Sequence, residues 1–178
     1  MKVLNSRAVP CSFTLAHYAG ICSMIGAYGY QTAFFDEVAG LAEEERVVLL
    51  RHDIDQSLEQ ALRVARIEHE HGLRSTFFVW LTSPFYNVLD PAQSAIVREL
   101  VALGHQVGLH FDETAYAPEP CDELSAPVSR EADILSDLLG LAVRVVSLHR
   151  PSERVLRGDV RLPGLSNTYE ARFVRQFK

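Results

Sequence analysis

Apolar residues along this chain alternate between two spacings. From Phe13 to Gly29, Phe13, Leu15, Ala16, Ala19, Ile21, Cys22 and Ile25 recur at close to helical spacing, and Gly29 supplies a stop. Tyr30 to Val38 reads as a short aromatic strand, TAFF, running into Asp36 and Glu37, followed by the acidic stretch AEEER as a solvated connection. Val47–Asp55, VVLLRHDID, reads as a buried parallel strand whose polar residues sit at its carboxyl end. Ser57, or Asp55 itself, caps a helix that ends at Gly72, with Leu58, Ala61, Leu62 and Ala65 as its apolar stripe. The aromatic and β-branched run Arg74–Thr82 predicts another strand, ended by the turn SPFYN. Asp90 and Pro91 then open a helix through Leu103, closed by Gly104.

The same alternation continues with a strand at Gln106–Phe111, a proline- and acid-rich loop at Ala117–Pro127, and a helix at Val128–Leu141. A strand follows at Val143–Leu148, after which the pattern weakens through Glu153–Lys178 to loop and a short final helical segment. Strands alternating with helical intervals predict an α/β fold around a parallel sheet or barrel. Four or five such strands are too few for a barrel of about eight, so an exposed sheet edge is expected, which a homodimer would cover.

Composition narrows this picture. A chain of 178 residues with 48% hydrophobic and 22% charged residues fits a single domain, 1–178. Its net charge of -6 argues against a nucleic-acid partner, which needs a basic face to replace counterions at phosphates. Cys11, Cys22 and Cys121 form no CxxC pair, which argues against a disulfide framework or a thiolate zinc site and fits a reducing cytoplasm. The amino terminus carries no export pattern, and no segment reaches the roughly 20 apolar residues that span a bilayer.

Chemistry concentrates where strands end. RHDID, GLHFDE and SLHRPS close three of the predicted strands, and parallel strands bring their carboxyl ends together. Asp53, Asp55, His110, Asp112, His149 and Arg150 are therefore expected to converge. Alternation puts Asp53 and Asp55 on one face, His110 and Asp112 on one face, and His149 and Arg150 on opposite faces. Adjacent carboxylates repel, so the aspartate pair asks for a metal, an arginine or a raised pKa. Imidazole and carboxylate donors without thiolates suit zinc first, with nickel, cobalt, iron or manganese as alternatives. His69 and His71, two apart on a helix, cannot share an ion and read as exposed polar residues. His105 lies at the opposite end of its strand and reads as structural.

RHDID followed by a helix, then GHQVGLHFD, then SLHRPS resembles the polysaccharide deacetylase superfamily, carbohydrate esterase family four, in its variant with an HDxD first motif found among surface-polysaccharide biosynthesis proteins. The resemblance runs from about Phe13 to Phe173. It implies a distorted, incomplete (β/α) barrel and metal-dependent removal of acyl groups from N-acetylated sugars, with a carbohydrate as partner. Carried onto this sequence, Asp53 is the general base, Asp55 a metal ligand, His110 the first histidine of the second motif, and Arg150 the arginine that orients the base. Trp80, Phe85 and Tyr86 are candidates to line the substrate pocket, with ordinary packing as the competing reading of Trp80. Two positions depart from the family pattern. Thr114 stands where a second histidine is usual, leaving His149 or, after it, Asp112 to complete the ligands. The family's later histidine, its general acid, has no counterpart before Lys178. That leaves a truncated product, protonation by another group such as His149 or a water, or a non-catalytic, carbohydrate-binding or complex-forming relative.

Overall fold

Two kinds of side chain decide how the strands of this protein lie: large apolar groups that seal both faces of a sheet, and polar groups that collect at one end of it. The computed structural model describes residues 12–41, 45–116, 124–157 and 160–176. Cys11, Cys121, part of the acidic connection and most of the 117–127 loop fall outside the described residues.

Helix α1 (Leu15–Ala27), capped by the Thr14 hydroxyl accepting from His17 N, precedes strand β1 (Gln31–Thr32). The predicted TAFF strand is thus cut to two residues. Glu37 closes a turn on Phe34, its N–H donating to Phe34 O at 3.1 Å, and a 3-10 turn follows at Val38–Gly40. The stretch 47–55 is likewise divided. Strand β2 (Val47–Val48) pairs in parallel with β1, whereas β3 (Arg51–Ile54) pairs with the next strand, β4 (Thr76–Val79). The chain changes partners at Leu49–Leu50, so the polar residues form the strand itself and do not trail an apolar one.

The remaining elements follow the expected order: α2 (Leu58–Glu70), α3 (Pro91–Ala102), β5 (Gln106–Asp112), α4 (Ser125–Leu139), β6 (Val145–His149), α5 (Glu153–Leu156), β7 (Ser166–Asn167) and α6 (Ala171–Gln176). Helix α4 begins three residues before Val128 because Pro127 sits in its first turn, where no intrahelical N–H is required. Strands β3-β4-β5-β6-β7 form one parallel sheet in sequential order, with β3 and β7 at its edges. Strand β7 was not expected. It is placed by Ser166 N donating to Arg144 O at 2.8 Å and Thr168 N to Val146 O at 3.0 Å.

Sequential order with connecting helices gives an arc of a barrel. Alternation then sorts every strand residue to one of two layers. Phe77, Val79, Val107, Leu109, Val146 and Leu148 point outward and are buried with Leu58, Leu62, Val97, Leu100, Val128 and Leu135 of the helices. Phe78 and Val145 point inward and pack with Phe35, Val38 and Phe173, which plug the arc from below. The Phe35 ring lies edge-on to Phe78 at 6.0 Å and to Phe173 at 5.2 Å. Gly108 makes room for this plug: a Cβ there would stand 2.6 Å from the Phe78 ring and 2.8 Å from Val145 Cγ2. With the lower end filled by rings, the inner face is free to be polar only at the upper end. Among the described residues no helix is long and apolar enough to cross a membrane.

Candidate metal centre

The register of the sheet determines which side chains meet. Ile54 lies beside Val79, Val79 beside Leu109 and Leu109 beside Val146, so Asp55, Trp80, His110 and Ser147 each come one step beyond on their strands. His149 is level with Asp112. The inner face at this end therefore carries Asp53, Asp55, His110, Ser147 and His149 together.

Three of these form a compact triangle. Asp55 Oδ1 lies 3.2 Å from His110 Nε2 and 3.3 Å from His149 Nδ1, and the two ring nitrogens are 3.2 Å apart. His110 is almost fully buried, His149 mostly so, and Asp55 about half exposed. Three lone-pair atoms aimed at one another are mutually repulsive unless a proton or a cation lies between them. Donors arranged tetrahedrally about 2.0–2.1 Å from an ion stand about 3.3 Å apart, so the spacing and the donor chemistry fit a zinc-like divalent metal. Burial holds His110 below the ordinary imidazole pKa despite the nearby Asp53 and Asp55 carboxylates, which favours the unprotonated ring that a metal needs. If Nε2 faces the ion, the ring proton is on Nδ1, a buried atom without a hydrogen-bond partner among the described residues, 4.0 Å from Asp53 Oδ1.

Asp53 itself is held by an arginine, and that arginine is not Arg150. Arg51 Nε donates to Asp53 Oδ1 at 2.9 Å and Nη2 to Oδ2 at 2.6 Å. Ser147 Oγ adds a third donor to Oδ1 at 3.2 Å. Arg150, cast in this role by the motif resemblance, is exposed, with φ 50, and makes no hydrogen bond to Asp53. The strand ends at His149, and the left-handed turn before Pro151 carries Arg150 away from the inner face. Burial alone would lower the pKa of Arg51, but its hydrogen bonds and charge pairing with Asp53 outweigh that and raise it. Arg51, Ser147, Thr168 and Tyr169 were absent from the sequence-derived site. For Arg51 the signal was present: two residues before Asp53 on an extended strand means the same face.

The other expected residues divide. Trp80, 6% exposed, stacks on the His149 ring at 4.1 Å with planes 25° apart, and its Nε1 donates to Thr82 Oγ1 at 3.0 Å. It buttresses the His149 ring. The Tyr86 hydroxyl donates to Ile54 O at 2.7 Å and accepts from Trp80 N at 2.8 Å, tying together the ends of β3 and β4. Phe85 is 62% exposed beside them. Asp112 stays outside the triangle, its Oδ1 accepting from Thr114 N at 2.9 Å and Thr114 Oγ1 at 2.6 Å. His105 is buried between Ala65 O and Ser75, away from the site, and His69 and His71 are exposed. A cavity of about 360 Å³ runs past Asp53 and Asp55 along the start of α2, lined also by His52, Gln60 and Phe77.

No family model and no curated protein matches the chain. Among solved structures it is similar to a Streptococcus pyogenes deacetylase, PplD, in complex with acetate, with a TM-score of 0.57 at 13% identity over 73% of this chain and 60% of that one. The chain thus spans 60% of the length of that deacetylase chain. The likeness is one of fold, and the fold is the α/β, distorted and incomplete barrel that the motifs implied.

Proposed function

We propose that this protein hydrolyses the acetamide of an N-acetylated sugar or surface-polysaccharide precursor with the help of a divalent metal, zinc before nickel, cobalt, iron or manganese. The observation that carries the reading is the Asp55–His110–His149 triangle with a second, separately anchored carboxylate, Asp53, beside it. The motif resemblance and the fold likeness to a deacetylase support it.

Asp55, His110 and His149 would hold the ion, which supplies polarisation of the amide carbonyl and a more acidic water. The two aspartates then have different work. Asp53, paired with Arg51, accepts the proton of the attacking water as its oxygen joins the acyl carbon. Rupture of the C–N bond gives a carboxylate and an amine, and the proton held by Asp53 is available to the departing nitrogen. Phe85, exposed at the rim, offers a ring for the apolar face of a sugar.

Metal content after purification and acetate release from N-acetylglucosamine oligomers test the reading together. Asp53→Asn should keep the metal and lose turnover by about two orders of magnitude or more, the scale of general-base catalysis. Asp55→Asn should lose both. A chain that takes up no zinc, cobalt or nickel and releases no acetate is the non-catalytic relative instead.

A further inference from the structure

We propose that Arg51 is the positioning residue of this site: its guanidinium fixes the plane of the Asp53 carboxylate by a two-point fork anchored on strands from the far side of the arc. The inference rests on the hydrolytic reading above and adds to it the group that aims the base.

The fork is built from one strand. Arg51 and Asp53 alternate to the same inner face of β3, and Nε and Nη2 reach the two carboxylate oxygens separately, at 2.9 and 2.6 Å. Paired parallel N–H···O bonds set orientation as well as charge. The arginine is itself immobilised. Nη1 donates to Thr168 Oγ1 at 3.2 Å, and Nη2 reaches Tyr169 Oη at 3.0 Å and Ser147 Oγ. Its guanidinium carbon Cζ lies over the Tyr169 ring, 5.0 Å from the ring centre, and 5.6 Å from the centre of the Phe78 ring. These partners lie on β4, β6 and the segment after β7, so a side chain from the first strand of the sheet is gripped from two other strands and from the residues that follow a third.

The consequence for Asp53 follows from counting. A carboxylate offers about four lone-pair sites. Arg51 takes two and Ser147 a third, leaving one for the proton of a water. A free aspartate would rotate among orientations; this one presents a single open site in a fixed direction. Misplacement by about an ångström costs on the order of 100-fold in rate, so the fork is worth that much to kcat and little to binding.

Arg51→Lys is the decisive variant, because lysine keeps the charge and cannot make the fork. In the metal-loaded protein it should lower kcat about 100-fold with KM and metal stoichiometry unchanged. Arg51→Ala should be equally slow and regain activity when guanidinium ion is added. Independently of turnover, the Arg51 Nε–H should give a protected resonance in proton–nitrogen spectra that vanishes in Asp53→Asn. Near-normal kcat in Arg51→Lys, the same loss in Arg150→Ala, or an Arg51 Nε–H indifferent to Asp53→Asn would each overturn the assignment. A wild-type protein that binds metal and shows the coupled resonance but releases no acetate would remove the hydrolytic reading while leaving the Arg51–Asp53 pairing in place.

Discussion

Adjacent carboxylates at Asp53 and Asp55 pose the same electrostatic problem, and the protein solves it twice in different ways. Asp53 has a permanent cation in Arg51, whereas Asp55 faces two imidazole nitrogens close enough to share a cation or a proton with it. That division makes the ligand set testable. His149→Ala should weaken metal binding by more than about 100-fold, since loss of even an outer partner of a ligand costs 10–100-fold, and Asp112→Asn should leave affinity unchanged. Equilibrium dialysis against a chelator-buffered metal checks both; tight binding in His149→Ala would remove it from the set. Most of this arrangement could be read from strand alternation: Asp55, His110 and His149 fell on the inner face because side chains have a period of two. What alternation does not give is who touches whom across strands. Arg51 had no role in the sequence-derived site, and its partners Ser147 and Thr168 lie 96 and 117 residues away in sequence.

Strand β3 is the element on which both faces depend. Its inner side carries Arg51 and Asp53; its outer side carries His52, which joins a largely buried polar cluster. Glu68, fully buried on α2, accepts from Ser75 Oγ at 2.6 Å and from the Tyr18 hydroxyl, and meets His52 Nε2 at 2.7 Å. Burial pushes the Glu68 carboxyl up, but hydrogen bonds and charge from His52, with Ser75 and Tyr18, bring it below the ordinary value. His105 completes the cluster as a neutral ring, Nε2–H donating to Ala65 O at 3.0 Å while Nδ1 accepts from Ser75 N at 3.3 Å. Burial lowers the pKa of His105 below the ordinary 6.5. Because the unfolded chain then protonates first, this contribution to stability is complete above about pH 6.5 and declines as pH falls toward the folded value. The melting temperature should therefore drop between pH 7 and pH 5, and His105→Gln should flatten part of that slope. His110, lowered in the same direction, supplies a further part in metal-free protein. An unchanged slope in His105→Gln would contradict the assignment. Elements of this kind, with helical or aromatic periodicity, were legible in sequence; β7 was not. Ser166 and Asn167 have no apolar pattern, and what makes them a strand is their pairing with Val145 and Val146, together with the buried Asn167 amide donating to Val160 O at 3.0 Å.

At the scale of the molecule, the arc is asymmetric along its axis. Rings from Phe35, Phe78 and Phe173 pack together at the bottom, and Asp55, His110 and His149 gather at the top, so the site has an apolar floor and a polar rim. The strand count foretold an arc short of a closed barrel, but not that segments outside the main sheet, carrying Phe35 and Phe173, would plug it. Trp80 is the one tryptophan in the chain, and it lies face to face with His149. All indole emission therefore originates against a ring expected to bind the ion. Cobalt or nickel, whose partly filled d shells drain excited indole, should darken that emission in proportion to occupancy, and zinc should displace them and restore it. With His149 as a ligand, Trp80 would be a built-in optical gauge of metal loading, readable by titration in a cuvette without label or substrate.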